Sequence, residues 1–138
     1  MDADFRHDVR VRYRDLDTFG HVNNVVYGTY CEQARVAYIE EVLDLDDLNE
    51  FTAVLATLEL DFHTSVTELT DVTVGVRIPR LGETSFPFEY ELAVDGELVA
   101  EGESVQVVVD PATREKRSIP EAWRERVATH EGIEPRTE

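Results

Sequence analysis

Residues 13–27, YRDLDTFGHVNNVVY, connect two stretches of the chain whose apolar residues recur with different periods. Before them, residues 5–14 alternate between two faces, which predicts a half-buried β-strand. After them, apolar residues recur every three or four positions from about residue 25 to residue 43, which predicts a long α-helix. The Asp-, Asn- and Gly-rich segment between the two predicts a structured loop that leads to a helix cap at Asn23 or Asn24.

The rest of the chain is rich in Val, Leu and Phe and predicts four more strands. Asp95-Gly96 separates two of them and is a strong signal for a tight hairpin. A short helix is predicted for residues 120–129. Residues 1–138 are therefore expected to form a single α+β domain, in which an antiparallel sheet of about five strands wraps around one long central helix. The four further strands are predicted at residues 55–64, 71–80, 84–94 and 97–110.

The charge balance of the chain is strongly acidic. There are 30 Asp and Glu residues against 13 Lys and Arg, for a formal net charge of −17, and Lys116 is the only lysine. A carboxylate-rich surface with few lysines is typical of proteins adapted to molar salt, where charge repulsion is screened over roughly 3 Å. The sequence therefore predicts a halophilic protein whose stability rises with salt. Nucleic acid is not an expected partner, because no basic stripe is present to replace phosphate counterions.

The cysteine count and the absence of long apolar runs indicate where the protein is located. Its one cysteine, Cys31, cannot form an internal disulfide. No apolar run approaches the ~20 residues that span a bilayer, and the first residues, MDADFRHD, do not resemble a secretory signal. We therefore expect a cytoplasmic protein that does not associate with a membrane.

The loop within residues 13–27 contains the residue types of a catalytic site. The start of a helix presents unpaired N–H groups and a partial positive charge, which can stabilise negative charge on a carbonyl oxygen. A carboxylate just before the helix can attack that carbonyl or activate a water molecule. Asp15 and Asp17 both fit this description, and their spacing does not decide between them.

The longer segment 13–35, YRDLDTFGHVNNVVYGTYCEQAR, resembles the signature of the 4-hydroxybenzoyl-CoA thioesterase-like hotdog family. The resemblance implies a hotdog fold, a homodimer with a continuous sheet or a homotetramer, and hydrolysis of an acyl-CoA substrate without a metal or cofactor. It also implies that Asp17, the second Asp of the pair, is the catalytic base or nucleophile. The N–H group that polarises the thioester carbonyl maps near Asn24, so the helix start would form the oxyanion hole.

The remaining residues of the loop have more than one possible role. His21 orients Asp17, contacts the pantetheine arm of the substrate, or only packs at the helix start. Gly20 is expected to adopt a positive φ or to allow a ligand to approach the backbone. Asn23 and Asn24 are expected to act as caps, with substrate binding through the backbone N–H groups.

Three positions outside the loop are also candidates for substrate binding. Thr73 lies where aromatic-acyl-CoA members of the family carry a water-positioning threonine that acts on the partner subunit, although β-propensity explains a threonine there equally well. Arg114 and Arg117, with Lys116, form the densest basic cluster in the chain. They are candidates for binding the phosphates of coenzyme A, and the alternative is a solvated strand exit.

Two other functions are compatible with the same scaffold. One is a hotdog hydratase or dehydratase, although the motif typical of those enzymes is not found in this sequence. The other is a non-catalytic acyl-CoA-binding module. If a helix carboxylate acted instead of Asp17, as in another hotdog thioesterase class, Glu32 would be the candidate.

Overall fold

The computed structural model of the protein describes residues 3–136, and its sheet has five strands. The strand order is β1-β3-β4-β5-β2, and every neighbouring pair is antiparallel. This architecture confirms the predicted α+β class and the five-stranded sheet. The strands are β1 (Phe5–Arg10), β2 (Ala53–Phe62), β3 (Asp71–Arg77), β4 (Ser85–Val94) and β5 (Glu97–Val108), and the helices are α1 (Asn24–Glu41) and α2 (Glu121–Glu131).

Helix α1 packs against one face of the sheet, where it contacts β1, β2 and β3. Its buried face includes Tyr30, Ala34 and Tyr38, which recur with the predicted helical spacing. The small Ala34 allows the sheet to approach the helix closely. The ring of Tyr38 lies edge-on to Phe5 of β1 and Phe88 of β4, with centroid distances of 5.3 Å to each, so this side chain joins the helix to two strands.

The hairpin between β4 and β5 turns at Asp95-Gly96, as predicted. Both residues have positive φ, 51° and 81°. Such a turn matches the right-handed twist of the two strands that it connects.

The first strand is shorter than predicted, because β1 ends at Arg10 and residues 11–14 are not part of it. Val11 is buried and donates its N–H to the carbonyl of Thr70, but the chain then enters a 3₁₀ turn at Tyr13–Asp15. The alternation therefore stops at Tyr13, which is 82% exposed. The periodicity of apolar side chains does not reveal this turn, because it is held by hydrogen bonds to the backbone of Arg12. The Asp15 N–H donates to the Arg12 carbonyl, and the Asp15 carboxylate accepts from the Arg12 N–H.

Strand β2 forms one edge of the sheet. It pairs with β5 on one side, and no other strand of the described residues covers its second side. Large apolar side chains are exposed along it, and Leu55 is 49% exposed. The contact with β5 is close at Gly102, where an added Cβ would lie 2.2 Å from the carbonyl oxygen of Glu59. The other exposed apolar residues of this strand are Val54, Leu58 and Phe62.

Two rows of carboxylates cross the sheet on the face opposite α1. In one row, Glu103 of β5 lies directly between Glu59 of β2 and Glu89 of β4. Ser104, the next residue along β5, is fully buried under the helix, so Glu103 points to the other face. Like charges at directly opposite positions destabilise a sheet. The second row is Asp61, Glu101 and Glu91.

We predict that Glu103→Gln stabilises the protein in low salt. Removing the central charge relieves its repulsion with Glu59 and part of its repulsion with Glu89, whose carboxylate is also paired with Arg77 over 2.6 Å. The gain should be about 0.5 kcal/mol and should raise the Tm by about 2 °C. The gain should disappear in molar KCl, where the repulsion is screened. Thermal unfolding at low and at molar KCl concentration measures both effects.

The matched control is Glu125→Gln, which removes the same charge from an exposed position on α2. It should change the low-salt Tm much less. If both variants behave alike, the salt response depends on net charge and not on these rows.

Candidate active site

The loop before α1 is closed by backbone hydrogen bonds. Leu16 and Val22 form an antiparallel bridge, and the N–H of Asp17 donates to the carbonyl of His21 over 2.7 Å. The N–H of Val22 donates to the carbonyl of Val66, which fastens the loop to the segment between β2 and β3. These bonds bring Asp17 next to the residues that begin the helix.

Asp15 is a buried structural carboxylate at the start of this loop, and only 3% of it is exposed. It accepts hydrogen bonds from the Arg12 N–H over 2.9 Å and from the Tyr30 hydroxyl over 2.8 Å. Burial alone would raise the pKa of Asp15, but these bonds and the Arg12 guanidinium together lower it below its ordinary value. Burial and the same Asp15–Tyr30 bond raise the pKa of Tyr30. The carboxylate of Asp15 is therefore held by hydrogen-bond donors inside the fold.

Asp17 is partly exposed and differs from Asp15 in its bonding. Its Oδ1 accepts hydrogen bonds from the Phe19 N–H over 2.9 Å and the His21 N–H over 3.3 Å. Its Oδ2 accepts none from the described residues. Gly20 has φ 77°, the left-handed conformation in which the loop can return to the carboxylate. The loop thus orients the side chain of Asp17 through one oxygen and leaves the other oxygen open.

The start of α1 provides a hydrogen-bond donor beside this loop. Asn23 is the N-cap, and its side chain accepts from the Val25 N–H over 2.9 Å. The backbone N–H of Asn24, the first residue of the helix, has no acceptor among the described residues. The side chain of His21 is exposed, and the bonds that hold it near Asp17 are those of its backbone. The structure therefore places five of the candidate residues in this loop and at the helix start: Asp17, Gly20, His21, Asn23 and Asn24.

The structure does not bring Arg114 and Arg117 to the loop of the same chain. Both follow the end of β5, whereas the loop is fastened near the start of that strand through Val66, which lies beside Val99. A strand of 12 residues separates the two ends by roughly 35 Å. Arg117 is paired with Asp110 at 2.5 Å, and two backbone N–H groups together with this pair hold the pKa of Asp110 below its ordinary value.

Thr73 is also separate from the loop. It lies on β3 between the buried residues Val72 and Val74, so its side chain points to the face opposite α1. Its hydroxyl donates to Asp8 on β1 over 2.7 Å.

Tyr30 is the site residue whose role sequence reasoning missed. Its position predicts a core side chain, which is correct, but its hydroxyl also holds Asp15. A signal was present, because a tyrosine at a buried helical position needs a partner for its hydroxyl group.

Two further observations concern the described part of the chain. Within residues 3–136, no helix has both the length and the apolar character that crossing a membrane requires. In the same range, no three His, Cys, Asp or Glu side chains are grouped in a way that could hold a metal ion.

Comparison with known proteins identifies the family. The model of the Thioesterase-like superfamily matches residues 11–127. A thioesterase from Thermus thermophilus, solved in complex with coenzyme A and zinc, superposes with a TM-score of 0.84 at 38% identity, covering 92% of this chain and 93% of that chain.

Curated relatives give partial matches. The uncharacterised protein YsmA of Bacillus subtilis is 27% identical over 86 residues, 62% of this chain and 58% of its own length. The chloroplastic acyl-acyl carrier protein thioesterase ATL3 of Arabidopsis thaliana is 39% identical over 57 residues, 39% of this chain and 30% of its own. The chain therefore spans less than two thirds of the length of either relative.

The five-stranded sheet with its packed helix defines a hotdog-fold protein similar to solved thioesterases. The chain belongs to the Thioesterase-like superfamily.

We predict that Asp15→Asn lowers stability more than activity. Loss of the charged acceptor should lower the free energy of unfolding at pH 7 by about 1–3 kcal/mol. Because the pKa of Asp15 is lowered from 3.8 in the fold, its contribution is complete above that value and is lost as the pH falls through the folded pKa. Urea unfolding at pH 7, 5 and 3 should show the difference from the parent narrowing at pH 3.

Tyr30→Phe is the control for this prediction, since it removes one hydrogen bond and keeps the charge of Asp15. It should cost less stability at pH 7. Equal stability of parent and Asp15→Asn at pH 7 would contradict a structural role for the carboxylate.

Proposed function

We propose that the protein hydrolyses acyl-CoA thioesters to a carboxylic acid and free coenzyme A, with Asp17 as the reacting carboxylate. The observation that carries the proposal is the unequal bonding of the two oxygens of Asp17, since Oδ1 is anchored by two N–H groups and Oδ2 is open. An oriented carboxylate with one open oxygen can attack a carbonyl or take a proton from water. The similarity to a thioesterase that was solved with coenzyme A supports CoA as the carrier.

The proposed reaction places the thioester carbonyl oxygen at the start of α1. The N–H of Asn24 donates to it, and the helix dipole stabilises the negative charge that develops there. Asp17 Oδ2 either takes a proton from a water molecule that adds to the carbonyl carbon, or adds to that carbon itself. In both routes the C–S bond breaks and the thiolate of coenzyme A leaves; in the second, water then hydrolyses the acyl–Asp17 anhydride. The exposed side chain of His21 is proposed to contact the pantetheine arm or to help orient Asp17.

We also propose that the active site is completed by a second chain. The open edge of β2 carries exposed apolar side chains and can pair with the same edge of another copy. A two-fold axis makes the two β2 strands antiparallel. The C-terminal end of β2 in one copy therefore lies beside the N-terminal end of β2 in the other. The partner subunit's Arg114 and the partner subunit's Arg117 would then approach the loop of Asp17, where the phosphates of coenzyme A need cations. Thr73 points to the face of the sheet opposite α1, so it is proposed to position water for a site of another subunit that covers that face.

Two further proposals concern the location of the enzyme and the salt concentration to which it is adapted. We propose a cytoplasmic location, to which the single, buried Cys31 is suited. We further propose a halophilic enzyme, because the net charge of −17 includes the two carboxylate rows of the sheet.

We predict that Asp17→Asn lowers kcat by at least ~10² while acyl-CoA binding persists. Asn retains an Oδ1 that can accept from Phe19 and His21, so the loop should keep its shape. The substitution replaces Oδ2 with an NH₂ group that cannot accept a proton. Thiol release from a panel of acyl-CoAs measures the rate, and calorimetry measures binding.

Asp15→Asn and His21→Ala are the comparison variants, and His21→Ala should have an intermediate loss of rate. A parent protein that binds acyl-CoA without releasing thiol would identify a binding module, and a hydratase would change the acyl group without releasing thiol. Parental rates in Asp17→Asn would refute the mechanism and make Glu32 the next carboxylate to test.

We predict that activity depends on assembly. If each site needs two chains, activity per chain should fall on dilution below the dissociation constant of the dimer, in parallel with the sedimentation coefficient. Sedimentation velocity and thiol release over the same concentration series measure both. A monomer that remains fully active would show that one chain is sufficient.

A further inference from the structure

Gly28 lies inside α1, at a position where neither the backbone nor the packing requires a glycine. Its φ is not positive, unlike that of Gly20. Apart from the helix itself, an added Cβ would meet one atom of the described residues, the terminal methyl of Leu58 at 3.2 Å, and the end of a flexible side chain can move aside. A glycine inside a helix destabilises it relative to alanine. The helix therefore gives up stability at a position where alanine would nearly fit.

The position of Gly28 is close to the site proposed for the thioester. Asn24, whose N–H is proposed to bind the carbonyl oxygen, is the first residue of the helix, and Gly28 lies four residues further on. Residues four apart share one face of a helix, and they are separated by a rise of roughly 6 Å. An acyl chain whose carbonyl lies at the helix start can therefore reach Gly28 within its first few carbon atoms.

Strand β2 turns two exposed apolar side chains, Leu58 and Phe62, toward this part of the helix. Both lie on the face of the sheet that α1 covers, because their partners in the pairing with β5 are buried there. The ring of Phe62 lies 5.4 Å from that of Tyr27 on the helix. Leu58 and Phe62 nevertheless remain exposed, so the apolar surface between α1 and β2 is open here. Their partners on β5 are Ser104 and Ala100, respectively.

This apolar surface begins beside Asn24 and ends at a charge. Val25, in the first turn of the helix, extends it toward the helix start and is 82% exposed. Glu32, one turn beyond Gly28 on the same face, is exposed and charged, and a carboxylate does not favour contact with hydrocarbon. From Asn24 to Glu32 the helix rises roughly 12 Å. We call this surface the apolar track, and it consists of Val25, Gly28, Leu58 and Phe62.

We propose that the apolar track binds a straight aliphatic acyl chain of medium length, and that Gly28 provides the room for it. The inference rests on the proposed hydrolysis of acyl-CoA and names the class of acyl group. A short acyl chain ends before it reaches Gly28, so it gains little from the track. A long chain passes the track and meets the carboxylate of Glu32. A chain that ends between these two residues buries the most hydrocarbon.

The proposed entrance to the track is at the start of α1, where residues 23–25 are exposed. The acyl chain follows the thioester carbonyl from this end, so it does not need to cross the edge of β2. A second copy paired on that edge would cover the outer side of the track and leave the entrance open. The track is also continuous with the proposed donor at Asn24, which favours the substrate as its occupant over a side chain of the second copy.

The test measures kcat/KM by thiol release for butanoyl-, octanoyl- and tetradecanoyl-CoA. The parent should prefer octanoyl-CoA over butanoyl-CoA by about 10-fold or more, because the longer chain buries more hydrocarbon. It should also prefer octanoyl-CoA over tetradecanoyl-CoA. Gly28→Ala should lower kcat/KM for octanoyl-CoA by about 10-fold, because the added methyl overfills the track. It should hydrolyse butanoyl-CoA at the parental rate, which also shows that it folds. The control is Thr29→Ala, which places the same methyl about 100° round the helix at an exposed position and should keep the parental preference.

A second readout separates this inference from the proposed activity. Thermal shifts with S-butyl- and S-octyl-CoA, which are thioethers and cannot be hydrolysed, report binding without catalysis. If no substrate releases thiol but S-octyl-CoA stabilises the parent more than S-butyl-CoA, and Gly28→Ala removes the difference, the proposed activity fails and the track assignment stands.

Three results would overturn the assignment. The first is a parent that prefers the octyl chain in neither readout, and the second is the same preference in Gly28→Ala as in the parent, or its loss in Thr29→Ala. The third is a Gly28→Ala protein that sediments as a monomer and loses activity equally on every substrate, since the glycine would then serve the contact with a second copy. If Gly28→Ala does not fold, Leu58→Phe fills the same space from β2 and must lose the preference.

Discussion

The hydrogen bond between the hydroxyl of Tyr30 and the buried carboxylate of Asp15 is the constraint on which the site depends. It joins the turn that follows the first strand to the second turn of α1. The carbonyl of Asp15 also accepts the N–H of Asn23, the residue that caps the helix. With its start held at both the side chain and the backbone, the short loop can place Asp17 in only a small region near the helix terminus. The buried carboxylate of Asp15 thus positions the carboxylate of Asp17, whose Oδ2 is open.

The fold could be predicted largely from periodicity, because each element keeps its apolar residues on one side. The helix was predicted at about 25–43 and found at Asn24–Glu41, and Asp95-Gly96 forms the expected hairpin turn. The error fell on residues 11–14, where Val11 and Tyr13 continue the alternation of a strand that has already ended. The turn that follows is held by the N–H and the carboxylate of Asp15, both bonded to the backbone of Arg12, and these bonds leave no mark on the spacing of apolar side chains.

The site was predictable to the extent that it is local. Asp17 and Asn24 belong to one short motif, and a single loop brings them together. Arg114 was proposed from its charge, but charge does not tell which end of a sheet a residue occupies. The bonding of Gln106 could not be foreseen for a similar reason. Its buried amide donates to the Ser104 hydroxyl, which is bonded to that of Tyr90, and these partners are set by tertiary packing.

The close contact at Gly102 has a consequence for how this protein can change over generations. Any side chain there would collide with the backbone of β2 at Glu59, and a backbone carbonyl cannot turn aside as the end of a flexible side chain can. The strand β2 also carries the open edge that we propose pairs with a second copy. A substitution at this one glycine would therefore displace that edge in a single step, and with it the surface on which we propose that a second copy pairs.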